Sequence, residues 1–314
     1  MNQKYKNIIS IILAVWIFAI GFAVGKDAGT EASLANGGGT EQVTEALVGE
    51  KPTKPNLGGS TNNGGTSNGS TDNGGTDNGG TDNGGADNGG SVPTDPTQYT
   101  DDQIIQLMNY YVNLVKSETD MKAKKSETIK VTVTDCSVPS LVGTVNGIVE
   151  GIIGDGAEIF NYTFTGSHVS STDDPEASTN STPFSLIPPT NKEFKVSPEG
   201  VADASVTVDA NGNVTYTVVL VAESTTLSSP TPLYNSTAIG YLDLAGLDVA
   251  PAEISQADMK YPGSTISVTV DANDRVIQLY NKLPMTGNGQ AGIAFAKGSA
   301  TFEGELNETW EFTY

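Results

Sequence analysis

The sequence predicts an α+β fold class: a curved antiparallel β-sheet packed by an N-terminal helix and a short Gly-rich helix, preceded by a single transmembrane or signal helix and a disordered linker. Three observations predict it. An uncharged apolar run, Ile8 to Gly25, opens the chain; a Gly/Asn/Asp/Thr tract of five-residue repeats follows; and from about Thr97 onward apolar residues alternate with polar ones over most of the length. Alternation with period two marks strands that bury one face. The resulting division is a cytoplasmic stub over 1–6, a transmembrane helix or signal peptide over 7–25, a linker over 26–98 and an extracytoplasmic domain over 99–314.

Composition narrows the function. The net charge is -21 and the pI is about 4.2, and Arg275 is the sole arginine. Such a surface repels nucleic-acid phosphates, which are bound through Lys/Arg neutralisation, so no nucleic-acid partner is expected. It also repels anionic headgroups away from the tether. The single cysteine, Cys136, forms no internal disulfide and lies too far from the apolar run to carry a lipoprotein's lipid. Its neighbours Val133 and Val138 predict a buried, inert thiol rather than a reactive one.

Lys4 and Lys6 precede the apolar run, whereas Lys26 and Asp27 follow it. Positive flanks stay in the cytoplasm, which puts the C-terminal bulk outside. The uncharged stretch approaches the roughly 20 residues that span a bilayer. Ala23-Val24-Gly25 is an acceptable cleavage site, but the run exceeds the usual h-region of about 7–15 residues. An anchor is favoured over cleavage. The expected location is the cell membrane, single-pass, N-terminus inside, or secreted if the segment is cleaved.

The linker is built on pentads: Thr61–Gly65, a degenerate Thr66–Ser70, Thr71-Asp-Asn-Gly-Gly75 with two further copies, and Ala86–Gly90. Glycine loses the most backbone entropy on ordering, and no apolar group here offsets it, so a random coil is expected. About 70 such residues span roughly 45 Å. The recurring Asp72, Asp77, Asp82 and Asp87 suggest calcium, but calcium-binding β-helix repeats carry an inward apolar position that the pentads lack. Pro52, Pro55, Pro93 and Pro96 stiffen its ends.

In the head, Thr100-Asp-Asp-Gln103 reads as a capping box. Ile104, Leu107, Met108, Tyr111, Leu114 and Val115 fall on one helical face, predicting a helix to about Thr119. Lys122, Lys124 and Lys125 then read as a solvated turn. Ile129, Val131 and Val133 alternate as a strand. Over Ser140–Ile153 the apolar spacing is helical, with Gly143, Gly147 and Gly151 in a stripe. A helix lying tightly on a sheet, or a weakly stable one, is preferred to a membrane-packing stripe. Phe160, Tyr162 and Phe164 mark a strand, and Gly166–Pro198 a long loop. Asn211-Gly212 signals a two-residue hairpin turn. Ser267–Asn273 repeats Ser205–Asn211 letter for letter, implying a repeated sheet element or convergence on one turn. From Ala300 to Tyr314 even positions are apolar except at Gly304 and Glu308, predicting one long strand or a hairpin turning at Asn307-Glu308.

Leu283-Pro-Met-Thr-Gly287 matches the pattern that sortases use, without the apolar span and basic tail that sorting needs. A strand followed by a Gly-Asn-Gly turn is the simpler reading. Asp209–Asn213 and Asp271–Arg275 imitate the start of a calcium loop but lack its glycine and glutamate. His168 is the sole histidine, so a His-rich zinc site is ruled out, and nothing around it or Cys136 resembles a nucleophile pair. No catalytic, cofactor-binding or metal residues are nominated. Asn235-Ser-Thr237 is a formal glycosylation triplet that matters only in a eukaryotic secretory pathway.

Ile266–Asn273 with its return strand, and the final stretch ending Trp310-Glu-Phe-Thr-Tyr314, resemble bacterial exported lipid-binding proteins of the LppX/LprG/LolA type. That resemblance implies one strongly curved antiparallel sheet wrapping helices around an apolar cavity. The chain departs from those proteins in lacking a lipid-modified cysteine and in its long stalk. The expected function is a membrane-tethered bacterial surface protein with a non-enzymatic binding head, its candidate partner an apolar small molecule such as a lipid, or a cell-envelope component. Two alternatives stand beside it: an adhesive or structural cell-surface module, and a glycan hydrolase working through two carboxylates.

Overall fold

The computed structural model describes residues 51–57 and 95–314, apart from 138, 154–155, 167, 172, 175–176, 178–180, 242–252 and 294–295. The apolar run over 7–25 and the pentads over 61–90 lie outside the described residues. No helix among the described residues is long and apolar enough to cross a membrane.

A large curved antiparallel sheet dominates. Its strands are β1 (Asp120–Cys136), β2 (Glu158–Thr165), β3 (His168–Ser170), β4 (Val201–Val208), β5 (Val214–Leu220), β6 (Glu223–Thr226), β7 (Glu253–Tyr261), β8 (Thr265–Val270), β9 (Val276–Ile293) and β10 (Ala296–Thr313). The order is β3-β2-β1-β10-β9-β8-β5-β4. The long β9 forks: its first half pairs with β8 (Lys282 opposite Thr265) and its second half with β7 (Thr286 opposite Lys260), which carries β6.

Among the described residues four α-helices accompany the sheet: α1 (Asp101–Lys116), α2 (Val142–Ile153), α3 (Pro183–Leu186) and α4 (Asn235–Ala238). The capping box at Thr100 and Gln103 forms as expected. The apolar face of α1 lies across β4, β5, β8 and β9. Leu107, Met108, Val112 and Val115 are buried there with Val218, Ile266, Val268 and Leu279 in one core. The helix ends at Lys116, earlier than expected, because the Ser117 amide closes back on Asn113 and Leu114.

Several expectations change. Lys122, Lys124 and Lys125 are not a turn; they lie inside β1, which extends nine residues upstream of Ile129. Met121 and Ala123 continue its buried face, and Lys125 and Glu127 occupy the next two positions of that face. The C-terminus is one strand of 18 residues with no hairpin at Asn307-Glu308. Gly287-Asn-Gly289 is no turn either. β9 runs through it, and a Cβ on Gly287 would meet the Phe302 ring at 2.5 Å and the Met259 sulfur at 2.6 Å. The side chains of its two cross-strand partners therefore fill the space that a side chain at 287 would need. The loop Gly166–Pro198 contains β3 and α3, and it buries Ile187, Phe194 and Val196.

The Gly-rich segment is a helix, α2, packed on β1. It buries Val145 and Val149, while Gly143, Gly147 and Gly151 are exposed with nothing within 4 Å of where a Cβ would sit. The glycine stripe therefore faces away from the sheet. The hairpins β4–β5 and β8–β9 are neighbours, because β5 pairs with β8. Each turns through a five-residue loop, not the expected two-residue one. In both, the first aspartate accepts from two backbone amides, Asp209 from Asn211 and Asn213, and Asp271 from Asn273 and Arg275. Gly212 and Asp274 fill the same left-handed slot, at φ 82° and 65°.

Candidate functional site

Register places two rows of side chains across the inner face. One row runs Phe160, Lys125, Trp310, Leu279, Val268 and Tyr216; the next runs Glu127, Glu308, Asn281, Ile266 and Val218. The apolar wall thus carries a polar island at its centre, drawn from β1, β10 and β9.

Lys125 Nζ lies 2.5 Å from Glu127 Oε2 and 3.0 Å from Glu308 Oε1. Trp310 Nε1 donates to the same Glu308 oxygen at 2.9 Å. The Lys125 ammonium also sits 5.6 Å from the Trp310 ring centroid and 5.8 Å from that of Phe160. All three charged residues are buried, at 7%, 5% and 3% relative exposure for Lys125, Glu127 and Glu308. Burial pushes the Lys125 amine down, but the two carboxylates outweigh it and hold the amine above its ordinary value. The Trp310 ring stacks on Tyr162 and Phe312, which fixes the indole and its bond.

A second buried amine approaches from the end of α1. Lys116 donates to the carbonyls of Ile187 at 2.5 Å and Pro189 at 2.9 Å, and more weakly to Phe184 at 3.5 Å. Burial pushes this amine down to about 7, against the pull of the negative charge on Glu308. Lys125 thus answers both glutamates, whereas Lys116 is held by backbone carbonyls in a buried region where unpaired charge is costly.

Asn281 lies opposite Glu308 and is 2% exposed, yet neither its Oδ1 nor its Nδ2 has a hydrogen-bond partner. An unsatisfied buried polar group costs about 1–3 kcal/mol. The amide offers one acceptor and two hydrogens in an otherwise greasy wall. Chemically, this arrangement can orient a polar group placed against it. Glu127 and Glu308 are the closely placed carboxylates that a hydrolase would need, but both are buried and both are tied to one ammonium.

The motifs noted in the sequence fall elsewhere. Leu283 is fully buried in β9 and Met285 is 8% exposed, so the sortase-like stretch is part of the sheet. His168 is on β3, not in a loop. It pairs with Thr165, which also pairs with Asp120 at the start of β1, whereas Cys136 ends that strand. Sixteen residues of strand separate the two positions by on the order of 50 Å. Cys136 is buried, as expected. Asn235 is fully buried and holds Glu223 and Ser264. Among the described residues no three His, Cys, Asp or Glu side chains are placed to hold a metal ion.

No known family model, curated protein or solved structure matches this chain. The island therefore rests on its own geometry. The sequence alone nominates none of its four polar residues, Lys125, Glu127, Glu308 and Asn281. By composition Lys125 reads as part of a turn, Glu308 reads as a break in an alternating face, and Asn281 sits between Leu279 and Leu283 at inward parity. The available signal was a charged or amide residue at an inward position on three separate strands.

Proposed function

We propose that the protein is a membrane-tethered bacterial surface protein whose head is a non-enzymatic binding module for an amphipathic ligand such as a lipid, held against the inner face of the sheet. The uncharged run after Lys4 and Lys6 supports the tether and its orientation. A large curved antiparallel sheet is the architecture that the LppX/LprG/LolA resemblance implies. The observation that carries the reading is the unpartnered amide of Asn281 among Leu279, Leu283 and Ile266. A lipid ester or amide would supply the missing polar partner while its chain covers the apolar wall.

The test is mass spectrometry of the chain released from membranes, before and after delipidation, with binding of a fluorescent fatty acid. Co-purifying lipid and probe binding are expected. Asn281→Leu should weaken the probe about tenfold, the equivalent of one lost hydrogen bond near 1.4 kcal/mol. Absence of both lipid and probe binding overturns the reading and leaves the adhesive role, for which deletion of the head would abolish cell binding.

A further inference from the structure

Seven residues of the stretch read as linker, Lys51-Pro-Thr-Lys-Pro-Asn-Leu57, lie against the head, although residues 58–94 separate them from Asp95. They touch it at three points. Gln103 Nε2 donates to the Leu57 carbonyl at 3.2 Å. Lys54 Nζ sits 2.8 and 2.9 Å from the two Asp274 oxygens and 5.5 Å from the Tyr111 ring centroid. Lys51 Nζ meets Glu118 Oε1 at 3.4 Å. Leu57 packs against the core.

The spacing of these points matches. Gln103 to Glu118 covers about 22 Å of helix at 1.5 Å per residue. Leu57 back to Lys51 covers about 19 Å as a polyproline-type strand at 3.1 Å per residue. Pro52 and Pro55 fix φ near the value such a strand needs and carry no N–H to satisfy. The segment therefore lies extended and antiparallel to α1, with each lysine meeting a carboxylate.

An independent observation comes from the two repeated hairpins. They are identical through Ser-Val-Thr-Val-Asp-Ala-Asn, then diverge at the left-handed slot: Gly212 in one, Asp274 in the other. A side chain there is strained where glycine is not. Asp274 is the residue that receives both Lys54 and the Tyr111 hydroxyl, the latter at 2.5 Å. The strained carboxylate stands only in the copy that meets the segment.

We propose that the surface formed by α1 and Asp274 is a peptide-docking site whose occupant is the chain's own Lys51–Leu57, and that docking works as a reversible clasp. Fastened, it holds Lys51–Leu57 along α1; opened, it releases those seven residues from the head. The contacts are few and half-exposed, so the clasp is held by proximity and charge and weakens with salt. This proposal is independent of the ligand reading.

The test uses the full chain in a Cys136→Ala background, with spin labels at Thr53→Cys and Gln106→Cys, both exposed positions. A short, narrow distance distribution is expected at low salt. Asp274→Gly should broaden it to long distances while the fold, read by circular dichroism, stays intact, since glycine suits the left-handed slot. Lys54→Glu should broaden it equally. A broad distribution in the parent, or a narrow one that survives both substitutions, overturns the clasp. So does the same narrow distance between singly labelled chains that have been mixed, which would place the segment on a second copy.

Discussion

The side-chain amide of Asn146 on α2 donates to the Val133 carbonyl at 2.9 Å and accepts from the Val133 amide at 2.7 Å. β2 pairs with β1 only as far as Glu127, so the rest of that strand edge is open on one side. Asn146 closes it at the point where β1 shifts register, between Val133 and Asp135. Two more asparagines do the same elsewhere. Asn109 exchanges both bonds with Val196, and Asn113 both with Phe194. One turn apart on α1, they hold the returning chain as a neighbouring strand would.

Removing that hold should loosen the 187–198 stretch before anything else. Asn109→Ala and Asn113→Ala each leave a backbone donor and acceptor without partners, at a cost of about 1–3 kcal/mol. Hydrogen exchange of the Phe194 and Val196 amides should accelerate while that of Val268 and Leu279 does not. Uniform acceleration across the sheet would refute a local role.

The polar island predicts an asymmetry between single and combined substitutions. Lys125→Met leaves Glu127 and Glu308 buried and unanswered, and should destabilise by about 3–5 kcal/mol. Replacing Lys125, Glu127 and Glu308 together with Met and Leu residues removes the charges as a set and should be neutral or stabilising. Urea midpoints of the two variants and the parent decide it, and a triple variant no better than Lys125→Met would contradict the ion-pair account.

Lys116 gives a pH dependence with a definite sign. Unfolded, its amine keeps its proton to about pH 10.4; folded, it releases it at about 7. Between those values the unfolded chain binds more protons, so stability rises with pH. The urea midpoint should climb from pH 7 to pH 9.5. It should stay flat in Lys116→Met. Buried Tyr162 is raised, by burial first and then by its bond to Asp174, so its opposing effect starts only as the unfolded phenol titrates near pH 10. Lys125 is raised too, and its loss also begins above the window.

Two glycines should respond oppositely to alanine. Gly287→Ala drives a methyl into Phe302 and Met259 and should cost about 1–3 kcal/mol. Gly147→Ala meets nothing within 4 Å on an exposed helix face and should gain up to about 1 kcal/mol from helix propensity. Thermal melts of both variants measure the contrast.

Local chemistry was legible from the sequence. Thr100 and Gln103 announced α1, the parity from Ala300 to Phe312 announced β10, and the duplicated Ser-Val-Thr-Val-Asp-Ala-Asn stretch announced two hairpins that prove to be neighbours. What stayed hidden depended on partners distant in sequence. Lys125 and Glu127 point inward because Glu308 answers from β10, so their charges disguised the strand that carries them. Gly287-Asn-Gly289 looks like a turn until Phe302 and Met259 are seen to need the space. Lys54 and Pro55 have the composition of a linker, and only Asp274 and Tyr111 give them an address. Asn281 carried no signal beyond its parity.

Among the described strands β10 comes last along the chain, and it lies between the first, β1, and β9, pairing with each along nearly its whole length. A chain threaded N-terminus first, through a ribosome or an export channel, has no mate for the seventeen residues of β1 on that side until the eighteen residues of β10 emerge. Closure of the sheet must therefore wait for residues 296–313, and a chain cut short before Ala296 should yield a molecule split down its middle rather than one frayed at its margin.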